Sequence, residues 1–331
     1  EEERDDAMVS LGMDDPEIDP LPRFRPSNGL LLALSAGLLF VGLPIYVGFD
    51  DVADLLRSAD WSHLGTIVAA FVALLGATGW VLYSVAPVSL PAWPTFLTGV
   101  ASFFASTTGP AHASARSLGS RYLERHGLDH TEARSAVALG RAAPQLALGV
   151  LLVAFLIWAA PGAFEAVDLD RPGSLLGGIA VLCLLALASL AVPAVRAELA
   201  ESIGQGWTRI ADGIGQLAGS PSRLVTTAAA GTTIAALHLM ALRNSLEVFG
   251  ADTPLATVGV VVFASLLVAS FVPTPGHVLA IEVLLVAALR ATGVDLAVAV
   301  CAVLLYRIAV FWAPVLLGAP ALGLLRRSGR V

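Results

Sequence analysis

The sequence predicts an all-α polytopic membrane protein with about six full spans and two re-entrant helical hairpins arranged as an inverted-topology repeat. Composition comes first. The chain has 331 residues, 56% hydrophobic and 14% charged, where a soluble domain carries about 25% charged residues. Apolar runs at 29–49, 175–195 and 296–325 approach or exceed the roughly 20 residues a membrane span needs. Short alternating strands, the mark of a transmembrane barrel, do not occur. Next come two apolar stretches broken at their centres by Gly and Pro: Thr108-Gly109-Pro110 and Pro273-Thr274-Pro275-Gly276. The last observation is a shared spacing. Counted from Gly127 and from Gly293, a charged residue lies eleven positions upstream (Arg116, Glu282), an Asp two downstream (Asp129, Asp295) and an Arg fourteen downstream (Arg141, Arg307). Repeated, broken hydrophobic segments tend to place a substrate path at the repeat interface.

The elements follow in order. Residues 1–28 hold Glu1, Glu2, Glu3, Asp5, Asp6, Asp14, Asp15, Glu17 and Asp19, so they read as an acidic linker that buries too little apolar surface to order itself. This start has no initiating Met and no signal-peptide pattern, which suggests a segment of a longer polypeptide. Residues 29–61 give span 1 (29–49) and an outer amphipathic stretch. Residues 62–195 give repeat A and the span after it: span 2 (63–85), hairpin 1 (93–126), span 3 (133–159) and span 4 (175–195). Residues 196–221 form an interfacial connector, with Leu199, Ile203, Trp207, Ile210, Ile214 and Leu217 recurring every three or four positions and Trp207 as anchor. Residues 222–327 give repeat B: span 5 (222–246), hairpin 2 (255–291) and span 6 (296–323). Residues 328–331 are a tail. Each hairpin arm is about 14–18 residues, short for a full crossing. Gly/Pro tips at such depth are tolerated only when buried in protein or lining a wet cavity.

Arginine placement sets the orientation. All 19 basic residues are Arg, a bias that suggests a high-GC bacterial genome. With the amino end inside, Arg4, Arg23, Arg25, Arg116, Arg121, Arg125, Arg134, Arg196, Arg209, Arg223, Arg326, Arg327 and Arg330 face the cytoplasm. Arg57, Arg171, Arg243 and Arg290 face outward. That asymmetry puts both termini inside, in a bacterial cytoplasmic membrane. Repeat A then starts and ends outside and repeat B starts and ends inside, so the two are inverted.

Arg141 and Arg307 each lie some 9–12 residues into a span, or roughly 14–18 Å along the axis. An Arg at that depth costs on the order of 2.5–3.5 kcal/mol by insertion scales, so it must face the interior and meet an anion. A planar guanidinium fork suits a lipid phosphate; a structural Arg–carboxylate bridge or a carbonyl clamp would serve as well. Glu282, the sole carboxylate between Asp252 and Asp295, is either protonated or paired, and Arg307 is the obvious partner. A proton-coupling acid, a contact to a cationic head group and a static ion pair all fit it. Arg116 occupies the corresponding place with opposite charge, and contact between the hairpin tips would make Arg116 and Glu282 a switchable pair. The substrate-binding candidates are therefore Arg307, Glu282, Arg141 and Arg116. The hairpin tips are Gly109, Pro110, Pro273, Pro275, Gly276 and His277.

Gly127 and Gly293 read as helix ends, with Asp129 and Asp295 as caps of the next helices. His112 and His277 read first as hydrogen-bonded packing residues, with a proton relay as the alternative. Cys183 and Cys301 read as small buried hydrophobes. Catalytic nucleophile motifs, phosphate loops, HExxH and carboxylate-rich metal sites are missing from the sequence, so no cofactor and no metal are expected, and an enzyme is not.

The run Pro273-Thr274-Pro275-Gly276-His277-Val278-Leu279-Ala280-Ile281-Glu282, then Gly293, then Tyr306-Arg307, resembles the carboxyl-terminal motif of the lysylphosphatidylglycerol synthase transmembrane, flippase-like family: P-x-P-G-G-x-G-x-x-E, a Gly, and a Tyr-Arg pair in the last span. Gly109, Arg116, Gly127 and Arg141 resemble its first-half counterpart, and the likeness covers about 29–327. His277 and Leu279 stand where the motif has glycines. The resemblance implies a membrane domain that moves aminoacylated phosphatidylglycerol or another polar lipid between leaflets, with Glu282 and Arg307 lining the head-group cavity. It also implies a possible fused or associated cytoplasmic domain. The expected partners are membrane lipids, with oligomerisation possible and no nucleic acid. Two alternatives remain at this point. One is a membrane transferase acting on a polyprenyl phosphate or lipid; the other is a non-transporting anchor or lipid-sensing module.

Overall fold

The computed structural model describes residues 26–108, 113–165, 208, 210–270 and 277–328. Among them every regular element is helical. The first is α1 (Pro26–Gly37), which runs through a π-helical turn (Leu38–Gly42) into α2 (Leu43–Val47). At Gly48 the chain bends by 98° into α3 (Phe49–Ser58), the expected outer amphipathic stretch. A short 3-10 turn (Trp61–His63), capped by the Asp60 carboxylate accepting from Ser62 N, leads into α4 (Leu64–Val85). Hairpin 1 is α5 (Ala92–Thr108) and α6 (Ala113–Glu124), followed by α7 (His130–Glu165). The second half comprises α8 (Pro221–Val248), hairpin 2 as α9 (Leu255–Ala269) and α10 (Ala280–Ala291), α11 (Leu296–Arg307), a second π-helical turn (Ile308–Trp312) and α12 (Ala313–Arg327).

Four of these are long and apolar enough to cross a membrane: Trp61–Val85, His130–Ala159, Pro221–Val248 and Leu296–Arg327; the bent pair around Gly48 brings the count to five. The expected span at 175–195, with Cys183, lies outside the described residues, as do Leu199, Ile203 and Trp207 of the connector. Residues 210–218 are helical. Leu217 is buried while Ile214 is exposed, so only part of the expected apolar stripe packs inward. Exposed apolar residues recur at helical spacing, as in Leu34, Leu38, Val41 and Ile45, and in Leu146, Val150, Val153 and Ile157. That is the pattern of helix faces turned to hydrocarbon.

The second arm of hairpin 2 has 12 residues, shorter than expected. The reason is local: Leu279 has φ 71° and ψ −38°, so α10 starts only at Ala280. The second arms of the two hairpins end alike. Gly127 (φ 96°) donates to Glu124 O, and Leu128 N donates to Leu123 O. Gly293 (φ 92°) donates to Arg290 O, and Val294 N donates to Leu289 O. These are paired Schellman closures, which need a left-handed residue at that position. Asp129 Oδ2 then accepts from Thr131 N at 3.3 Å and Asp295 Oδ1 from Ala297 N at 2.8 Å, capping the next helices as the sequence predicts.

Packing is reciprocal between the halves: α5 lies along α12, and α9 lies along α7. α4 and α8 pair along most of their length, tied near one end by Thr66 Oγ1 and Asn244 Oδ1 at 2.9 Å and by Asp60 N donating to Val248 O. A buried Thr227–Ser84 hydroxyl bond ties them further along. Such interhelical bonds are worth about 0.6 kcal/mol on average in a membrane, so close packing must do more. Close packing is seen between α4 and α5, at Gly79 and Gly99, where an added Cβ would come within 2.7 Å of Phe96 Cα and of Gly79 N respectively. Both π-helical turns precede a proline, Pro44 and Pro314, at the start of the following helix. Proline lacks an N–H and crowds the carbonyl four residues back, and a widened turn relieves that clash. The turns meet through Phe40 and Trp312, edge to face at 5.8 Å.

Candidate functional site

Two sites emerge, one around each of the deep arginines. Arg307 ends α11, and Glu282 lies in the first turn of α10. The Schellman closure at Gly293 folds these helices against each other, and this brings the two side chains together. Arg307 Nε donates to Glu282 Oε1 at 2.6 Å, with Arg307 3% and Glu282 0% exposed. The guanidinium carbon sits 4.2 Å from the centre of the Phe311 ring, on the adjoining π-helical turn. Glu282 Oε2 and Arg307 Nη2 are buried and have no hydrogen-bond partner among the described residues. The sequence-predicted pair therefore exists, but it is enclosed in the apolar core of α8 to α11. Breaking such a pair by removing one partner typically costs about 3–5 kcal/mol, because the other charge is stranded.

Arg141 is different. It lies in α7 and lines a cavity of about 330 Å³ between α4, α5, α7 and α8, with Gly119 of α6 and Pro314 of α12 in the wall. That volume falls in the range of about 300–1,000 Å³ usual for small-molecule sites. The wall is largely apolar (Leu74, Val81, Val100, Phe103, Val137, Ile234) with a few polar groups: Thr78, Ser102, Ser106, Gln145, Arg141 and His238. Thr78 and Ser106 donate their hydroxyl protons to their own helices, at Leu75 O and Phe103 O, so they offer the cavity only lone pairs. Asp and Glu are not found among the described lining residues.

His238, on α8, links the two sites. It lines the cavity, and its Nδ1 lies 2.7 Å from the hydroxyl of Tyr306, the residue before Arg307. Sequence reasoning missed His238 and dwelt on His112 and His277. The signal was present: His238 is an ionisable residue deep inside a predicted span, the criterion applied to the arginines.

Of the other candidates, Arg116 falls within α6. Gly109, Pro110, Pro273, Pro275, Gly276 and His112 lie outside the described residues. His277 has φ 53° and Leu279 φ 71°, the two positive-φ non-glycine residues among those described. They are also the two positions where the resembled motif carries glycine. Cys301 is buried. Among the described residues, His, Cys, Asp and Glu form no cluster of three suited to a metal ion.

Long apolar helices, lipid-facing stripes and charged residues kept inside define a multi-pass membrane protein. The chain belongs to the family described as the lysylphosphatidylglycerol synthase TM region, which residues 29–318 match. Comparison with curated proteins finds no match.

Proposed function

We propose that this domain moves a phospholipid or another anionic polar lipid, aminoacylated phosphatidylglycerol included, between the leaflets of a bacterial cytoplasmic membrane, with both termini cytoplasmic. The observation that carries this reading is the cavity of about 330 Å³ lined by Arg141, a guanidinium within a membrane-spanning helix at a mostly apolar cleft. The lipid phosphate docks there while its acyl chains stay in the bilayer, so the head group crosses without meeting hydrocarbon.

The reciprocal packing of α5 on α12 and of α9 on α7 supports two copies of one unit, inverted relative to each other, that rock between two states. The Glu282–Arg307 pair holds hairpin 2 against the last span in the state described, and releases Arg307 to the head group in the other. Arg116 belongs to the same path on hairpin 1.

The test is lipid flipping in liposomes, read as the fraction of labelled phosphatidylglycerol shielded from a quencher outside. Wild-type protein accelerates flipping, and Arg141→Ala, Glu282→Gln and Arg307→Ala each slow it. Flipping unchanged in all three variants removes the assigned roles, and no acceleration by the wild type removes the translocase.

A further inference from the structure

We infer that His238 is the hydrogen-bond donor through which the cavity holds a phosphodiester oxygen of its lipid, and that Tyr306 fixes the ring to do so. This rests on the proposal that the cavity is the lipid site, and it adds the atom that reads the head group.

The argument begins at Tyr306. Its side chain is fully buried, and His238 Nδ1, at 2.7 Å, is the hydrogen-bond partner its hydroxyl has among the described residues. A phenol carries one proton, and leaving a buried donor unused costs about 1–3 kcal/mol. The hydroxyl therefore donates and Nδ1 accepts. An imidazole that accepts at Nδ1 carries its proton on Nε2. Since His238 lines the cavity, that proton is available there. If the ring were charged instead, Nε2 would donate as well, so the conclusion does not depend on the charge state.

The other cavity groups narrow the ligand. Thr78 and Ser106 have already given their protons to backbone carbonyls. The other donors in the wall are the His238 ring, the Gln145 amide and the Ser102 hydroxyl, and Arg141 lines it too. Donors that converge in an apolar wall, with no carboxylate among the described lining residues, suit an oxygen-rich anion carried on an apolar tail. A phosphodiester matches, and so does a soluble phosphate ester. The apolar share of the wall favours the lipid.

The experiment uses the full chain in detergent micelles and in proteoliposomes. Binding of dioctanoyl phosphatidylglycerol is titrated by tryptophan fluorescence, beside dioctanoylglycerol, which lacks phosphate, and glycerol 3-phosphate, which lacks acyl chains. The lipid with phosphate binds best and each control at least tenfold more weakly. His238→Phe weakens binding about tenfold, the effect of one lost hydrogen bond to a charged acceptor. The decisive pair is His238→Gln and His238→Asn. The Gln amide reaches the place of Nε2 and restores binding; the Asn amide reaches the place of Nδ1, satisfies Tyr306 and does not. Thermal unfolding midpoints check that each variant is folded, and Tyr306→Phe, which keeps the ring and loses the proton, gives an intermediate loss.

Equal binding by the Gln and Asn variants, or recovery by Asn alone, overturns the inference and leaves the translocase standing. Glycerol 3-phosphate binding as tightly as the lipid overturns the lipid source. Tight, His238-dependent lipid binding with no flipping in proteoliposomes keeps the inference and removes the translocase.

Discussion

Arg141 and Arg307 occupy the same place in two similarly spaced stretches, fourteen residues after Gly127 and Gly293. One lines a cavity and the other is sealed in a core. Eleven residues before each glycine, the second half has Glu282 and the first has Arg116. In the second half that carboxylate closes on the arginine of the next helix at 2.6 Å. The second half thus has a locked side at Arg307, and the first an open side at Arg141, which borders the cavity.

The largest expected effect breaks the locked side. Glu282→Ala strands Arg307 in the core and should cost about 3–5 kcal/mol, read as a large fall in unfolding midpoint in detergent. Replacing both partners with apolar residues, Glu282→Leu with Arg307→Met, should recover most of that stability, since buried pairs give little net stabilisation over well-packed apolar groups. If the double variant is stable and yet fails to flip lipid, the pair's function is separated from its packing.

On the open side the pattern should reverse. Arg141→Ala should cost less stability than Glu282→Ala, which strands a buried charge, yet slow flipping about 10- to 100-fold, the range for hydrogen bonds lost to a charged ligand. An equally large stability loss at both arginines would erase the distinction. Arg116→Glu gives the first half the charge pattern of the second. It should slow flipping severalfold, and Arg116→Gln should slow it less, because the added carboxylate competes for Arg141.

A smaller effect concerns the hairpin that carries Glu282. Leu279 (φ 71°) and His277 (φ 53°) hold conformations that glycine adopts without strain. Strain of about 1–3 kcal/mol at such a site outweighs the roughly 0.4–1 kcal/mol that glycine's extra freedom adds to the unfolded chain. Leu279→Gly should therefore raise the unfolding midpoint slightly; a lower midpoint would mean that side-chain packing decides there.

The smallest effect lies away from both arginines. Hydrogen bonds from Ser62, backbone first, hold the Asp60 carboxyl below its ordinary 3.8. A lowered folded-state value stabilises the fold above 3.8, and the contribution disappears as pH falls through the folded-state value. Asp60→Asn should flatten stability slightly over that acid range and leave flipping unchanged at neutral pH.

By itself the sequence determined the membrane class, the family resemblance, the helix ends at Gly127 and Gly293, the caps Asp129 and Asp295, and the Glu282–Arg307 partnership. Each follows from short-range chemistry or from the rarity of charge in hydrocarbon, and both leave a mark at fixed spacing. Tertiary structure alone decided which arginine meets the cavity, and that His238 reaches Tyr306 across 68 positions of chain. It also decided that α10 starts late, because Leu279 adopts a glycine-like turn. Such outcomes depend on how helices distant in sequence cross, and on where close packing at residues such as Gly79 and Gly99 lets them approach. No periodicity along one helix encodes which face of another it will meet.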